Sequence, residues 1–217
     1  MSADDIIDLY ERHAGAYDRD RARTLQERRW LDEFLRLAPP GGTILDLGCG
    51  MGEPMARYVL EQGLPLCGVD SSPTLVGMCR ARFPGSEWLV GDMRTLELGR
   101  RFAGVLAWDS FFHLTMDHQR GMFRRFADHA LPGAPLLFTT GPREGEAMGS
   151  YCGEVLYHAS LEPSEYQGLL TAHGFRVRAH VADDPDCGGH TVWLATFDGG
   201  TAGRSEAHGA GGRFTTT

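Results

Sequence analysis

The chain has 217 residues and a mass of 23.8 kDa, long enough for one domain with a sizeable core and too short for two ordinary ones. All 21 basic residues are Arg, and Lys and Asn are absent, which excludes lysine Schiff-base chemistry, a P-loop lysine and N-glycosylation. Its 29 Asp and Glu set a formal charge of −8, an acidic balance that argues against nucleic-acid partners.

Two helices are expected first, over 4–18 and 24–37. In the second, Trp30, Leu31, Phe34 and Leu35 form an apolar stripe. Pro39, Pro40, Gly41 and Gly42 then break the chain, and strand and helix alternate from there. Residues 43–47 (TILDL) read as a strand, 53–62 as a helix stopped by Gly63, and 66–70 (LCGVD) as a second strand. Ser72 and Pro73 start a helix, Ser as N-cap and Pro at the first position, where its missing N–H costs nothing. That helix runs to about residue 82.

Strands follow at 88–90 and 102–108, a helix at 117–130 and a fifth strand at 135–140. A last helix at 164–173 ends at Gly174. The strands at 175–181 and 191–197 have no helix between them and read as an antiparallel hairpin. Strands linked by helical crossovers predict an α/β fold with a doubly wound, mostly parallel sheet. Residues 198–217 are Gly-rich and apolar-poor and are expected to be a disordered tail, leaving one domain over 1–197. No apolar run reaches membrane-spanning length, the acidic start is not a signal peptide, and five Cys without a C-x-x-C pair suit reduced thiols; a cytoplasmic protein without a membrane partner is expected.

The informative motif is ILDLGCGMGE, residues 44–53, a strand running into alternating glycines and then a helix. Glycine lets the backbone turn tightly and a ligand approach closely. Asp46 before this loop and Glu53 after it would repel a pyrophosphate and favour a ligand carrying an ammonium and a sulfonium. S-adenosylmethionine (SAM) is such a ligand. Asp70, ending the second strand, suits ribose hydroxyls, as in nucleoside sites generally. Asp92 could accept from an adenine amino group, with Met93 packed on the ring.

Together ILDLGCGMGEP, GVDSSPTLV, GDM, GVLAWDSFFHL and LYHASLEPSEYQGLLTAHGF resemble the class I SAM-dependent methyltransferases, most closely the small single-domain members acting on small molecules. The likeness covers nearly all of 1–197. It implies a Rossmann-like, seven-stranded sheet in the order 3-2-1-4-5-7-6, SAM as cofactor, and residues 1–40 as a helical cap over it. The implied activity is methyl transfer to an O or N atom of a small-molecule acceptor. The implied cofactor contacts are Asp46, Gly48, Cys49, Gly50, Asp70, Ser71, Asp92, Met93 and Trp108, with Tyr17 and Arg21 from the cap.

Methyl transfer is an in-line displacement that needs a base only when the acceptor is protonated. His113 is the candidate base, weighed against plain hydrogen bonding at a helix start; Asp109 stands with it. Tyr10, Tyr151, Tyr157 and His158 are candidate acceptor contacts, weighed against aromatic packing. Cys187 and His190 form a lone C-x-x-H, which reads as a hairpin turn, so no metal is expected. A non-methylating SAM enzyme, a non-catalytic nucleotide-binding regulator and, least favoured, a nicotinamide oxidoreductase are the competing readings. A monomer or homodimer is expected.

Overall fold

Short apolar runs become parallel strands because residues buried on both faces need helices on both sides. The computed structural model describes residues 3–199; residues 200–217, most of the expected tail, lie outside the described residues. The strands β1 (Ile44–Leu47), β2 (Leu66–Asp70), β3 (Glu87–Val90), β4 (Gly104–Ala107) and β5 (Pro135–Thr140) are parallel neighbours. Strands alternate their faces. Leu45, Leu47, Val105 and Ala107 therefore enter one core cluster with Phe111, Phe123 and Phe138. Ile44, Leu106 and Trp108 enter the other, with Trp30 and Phe34.

The helices are α1 (Ala3–Arg12), α2 (Ala14–Asp20), α3 (Arg28–Leu37), α4 (Met55–Glu61), α5 (Pro73–Arg82), α6 (Met116–His129) and α7 (Pro163–Ala172). As expected, Ser72 caps α5, its Oγ accepting from the Leu75 N–H at 3.1 Å. The single helix expected over 4–18 is instead two, interrupted at His13 (φ −106°, ψ 15°), whose ring reaches Glu154. Among the described residues no helix is long and apolar enough to cross a membrane.

A hairpin was not expected between the fifth strand and the last helix. There β6 (Gly145–Tyr151) pairs antiparallel with β7 (Glu154–Ser160) as a separate two-stranded sheet. Its two-residue turn puts Cys152 (φ 50°) and Gly153 (φ 82°) in the left-handed region, the twist that hairpins favour. The terminal strands β8 (Phe175–Asp184) and β9 (His190–Phe197) complete the main sheet as an antiparallel hairpin. The order is β3-β2-β1-β4-β5-β9-β8, which is the predicted order once the extra hairpin is numbered. β1 lies between β2 and β4, so the order in which strands are added reverses at β1 and leaves a crevice at the strands' carboxyl ends.

Candidate active site

That crevice is a cleft of about 700 Å³, counting its open mouth. Its floor is the glycine loop. Gly48 (φ 72°) donates its N–H to the Val69 carbonyl at 2.8 Å, and a Cβ there would lie 2.3 Å from that of Ser110. Gly50 (φ 55°) donates to Asp70 Oδ2 at 2.9 Å, and a Cβ there would crowd the Tyr17 ring at 3.1 Å. Positive φ and close approach both demand glycine at these positions.

Carboxylates dominate the electrostatics. Asp70 accepts from the Gly50 and Ser72 N–H groups, both at 2.9 Å, yet burial still pushes its pKa above the ordinary value. Asp46, 3% exposed behind the loop, is pushed up to about 7 by burial and then by Asp70. Among the described residues neither has an ion-pair partner. A buried anion without a counter-charge is costly. Asp92 differs: burial would raise it, but the Arg94 guanidinium and N–H hold it below the ordinary range.

Asp109 follows β4 with φ 48°, unusual for a residue with a Cβ. Its Oδ2 lies 3.1 Å from Arg21 Nη1 and its Oδ1 2.9 Å from His190 Nε2, although the ring N–H is not aligned on that oxygen. Burial would raise Asp109; His190 and Arg21 hold it low. His190 is raised by Asp109 to about 9.

His113 sits on a 3-10 turn (Phe111–His113) at the cleft wall. Its Nδ1 faces the Tyr157 carbonyl at 2.9 Å, so that nitrogen carries the proton and Nε2 accepts from the Tyr10 hydroxyl at 3.0 Å. Burial lowers its pKa to about 4, leaving the ring neutral at physiological pH. Burial likewise raises Tyr10, and Tyr17 to about 12, so both keep their protons. A second cavity of about 930 Å³ opens between the end of β5 and β6–β7, with Phe112 and His158 in its wall. The His113 and His158 rings, 4.8 Å apart, stand between the two spaces.

The segment that builds this floor, residues 44–133, matches the family described as methyltransferase domain. In sequence the chain is similar to dTDP-3-amino-3,4,6-trideoxy-alpha-D-glucopyranose N,N-dimethyltransferase of Streptomyces venezuelae, with 31% identity over 101 residues, 46% of this chain and 42% of that protein. It spans about two-fifths of the length of such curated relatives. Among solved structures it is similar to a SAM-dependent methyltransferase from Clostridium acetobutylicum, with TM-score 0.68 and 13% identity, covering 88% of this chain and 100% of that one. It is also similar to SAM-bound CalS10, an amino pentose methyltransferase from Micromonospora echinaspora, with TM-score 0.65 and 20% identity, covering 84% and 94%. The fold is that of the class I methyltransferases.

Of the residues singled out in the sequence, the cleft gathers Tyr10, Tyr17, Gly48, Gly50, Asp70, Ser71, Asp92, Met93, Asp109 and His113 along its wall. Seven others stand off it. Asp46 lies beneath the loop, and the Cys49 thiol is buried in the core. The Trp108 side chain takes the opposite face of the sheet from Ala107. Arg21 is held between Asp109 and Glu27, its Nη2 donating to Glu27 Oε1 at 3.2 Å. Tyr151 donates to Asp20 at 3.2 Å, and Tyr157 packs against Ile6 with its hydroxyl on Glu146. His158 lines the second cavity instead.

Glu53, expected beside the ligand, lies outside the cleft lining and is paired with Arg23 at 2.7 Å and Arg57 at 2.5 Å, its side chain only 9% exposed. Sequence reasoning missed Ile6, Ile7 and Ser110 in the wall, and Glu27 and His190 behind it. Only the C-x-x-H spacing drew attention to His190.

Proposed function

We propose that the methyltransferase domain binds SAM in this cleft and transfers its methyl group to a nucleophilic atom of a small molecule. The observation that carries this reading is a pair of carboxylates, the buried Asp46 and the half-buried Asp70, left without a counter-charge at the crevice where β1 separates β2 from β4. A ligand with a sulfonium and an ammonium relieves that charge, whereas a pyrophosphate would add to it. The donor set fits the cofactor. Asp70 would take the ribose hydroxyls, Asp92 the adenine amino group, Met93 a face of the ring, and Gly48 and Gly50 would let the backbone approach. SAM supplies the methyl group, activated as a sulfonium.

The acceptor follows from the state of the bases. Two acceptors of the cleft wall are already engaged: His113 Nε2 by the Tyr10 hydroxyl, and Asp109 Oδ2 by Arg21, with His190 beside Oδ1. An alcohol must lose a proton during transfer, and His113, with both ring nitrogens engaged, is not free to take it. A neutral amine attacks with its own lone pair and leaves as a methylated ammonium, a cation in an acid-lined cleft. We therefore favour an amine nitrogen over a hydroxyl, with His113 a positioning residue for Tyr10 rather than the general base. The N,N-dimethyltransferase and amino pentose methyltransferase likenesses support the same class.

Calorimetry with SAM, S-adenosylhomocysteine (SAH) and NAD tests the cofactor. SAM and SAH are expected to bind and NAD not; the reverse would end this reading. Asp70→Ala, with its circular dichroism unchanged, should lose about 2 kcal/mol of SAH affinity, roughly 30-fold. Labelled methyl transfer to a panel of amines and their hydroxyl counterparts tests the acceptor, with product expected from the amines.

A further inference from the structure

We infer that His190 is a positioning residue of the methyltransferase site, gripping Asp109 from outside the cleft. This rests on the cofactor reading above.

Asp109 lines the cleft beside Ser110, the residue that covers Gly48. Its left-handed backbone persists in a residue with a Cβ only where the surroundings over-determine it. Three contacts do so. Its N–H donates to Thr139 Oγ1 at 3.0 Å, Arg21 meets Oδ2 at 3.1 Å, and His190 meets Oδ1 at 2.9 Å. Arg21 is backed by Glu27. The two cations come from opposite ends of the chain, Arg21 from the close of α2 and His190 from the start of β9.

His190 is itself held in place. Its Nδ1 donates to the Cys187 carbonyl at 2.6 Å, and its ring lies 5.4 Å from that of Trp108. Gly188 (φ 62°) and Gly189 (φ 79°) make the turn that brings the ring back over Cys187. The C-x-x-H spacing is thus a ring holder: the carbonyl of Cys187 makes the contact, and its thiol is fully buried. With Nδ1 donating and Nε2 against a carboxylate, the ring is an imidazolium. The groups facing it are Asp109 and Trp108 after β4, Arg21 and Glu27 from the cap, Cys187 from the turn, and Asp184 across the β8–β9 pairing.

The sign of the pH effect follows. A histidine raised to about 9 grips Asp109 below that pH and releases it as pH climbs through it. Wild-type SAH affinity should therefore fall between pH 8 and 10. His190→Ala should bind SAH about tenfold more weakly at pH 7, by calorimetry on protein of unchanged circular dichroism. His190→Gln, whose amide donates without titrating, should recover most of that loss and flatten the alkaline fall. A lowered melting temperature with unchanged SAH affinity in His190→Ala would mark a merely structural role and overturn the proposal.

The imidazole titration followed by NMR provides the second arm. His190 should titrate near 9 in the wild type and drop toward about 6.5 in Asp109→Asn. A histidine that already titrates near 6.5, or that ignores Asp109→Asn, overturns the pair. Should the wild type fail to bind SAH, the cofactor reading falls with that result, while this titration still decides whether His190 holds Asp109.

Discussion

The floor and the roof of the cleft are built by different physics. The floor rests on sheet strands whose neighbours are apolar: Leu106, Phe111, Phe123 and Phe138 are fully buried, and the Phe111 and Phe138 rings meet at 5.3 Å. The roof, α1 and α2 with the β6–β7 turn, has a small apolar face through Ile6 and Leu9 and is otherwise pinned by charge. Glu11 accepts from Ser72 Oγ, the Thr74 N–H and Thr74 Oγ1 at the start of α5. Arg12 and His13 reach Glu154, and Asp18 takes Arg23 and Arg82. Exposed ion pairs contribute little each and are screened by salt, whereas apolar burial is insensitive to both charge state and ionic strength. A site between such layers combines a fixed geometry below with a region above that opens at low cost.

Three substitutions would break or sharpen this contrast. The largest effect belongs to the floor: Phe138→Ala removes a ring packed against Phe111, Phe123 and Trp193 and should cost ~3–5 kcal/mol by urea unfolding. A loss below about 1 kcal/mol would erase the distinction. Gly48→Ala comes next. Its methyl would meet Ser110 at 2.3 Å on a left-handed backbone, so ~2 kcal/mol of stability should go together with SAH binding.

The smallest effect belongs to the roof. Hydrogen bonds from Ser72 and then Thr74 hold the Glu11 carboxyl below its ordinary 4.5. A depressed carboxylate stabilises above its ordinary pKa, and that contribution is lost as pH falls through the lowered value. Glu11→Gln should therefore speed hydrogen exchange in α1 and α2 at pH 7, leave β1 unchanged, and remove the acid-side dependence. The cost should stay under about 1 kcal/mol given its exposure. Equal slowing or speeding in both regions would show that roof and floor open as one.

Legibility in the sequence follows the same division. Strands β1, β2, β4 and β5 were readable because burial on both faces leaves continuous apolar runs between Gly and Pro breaks. The carboxylates Asp70 and Asp92 were readable because strand ends in this topology converge on one crevice. β6 was hidden: GEAMGSY has no alternating pattern because it lies exposed, and its turn uses Cys-Gly where Asn-Gly would have signalled a hairpin. Trp108 was expected at the cofactor by its backbone at least, and strand parity turns its side chain to the other face and gives that wall to Asp109. Glu53 was expected at the ligand by proximity to the glycines, but it is paired with Arg23 and Arg57 instead.

From its order of residues alone, this chain determined a doubly wound sheet and a glycine loop flanked by acids, since both depend on local periodicity and on neighbours a few residues apart; the strand order came only with the family resemblance. The absence of Lys also settled that any cationic partner in the site must be Arg or His. Which ones, only the tertiary structure decided. Arg21, Asp109 and His190 converge from three distant stretches of chain, and that convergence changes their charge states: Asp109 is held ionised, His190 protonated, and His113, buried against a carbonyl, neutral. Charge state depends on burial and on partners across space, and neither is written in the spacing of residues along the chain.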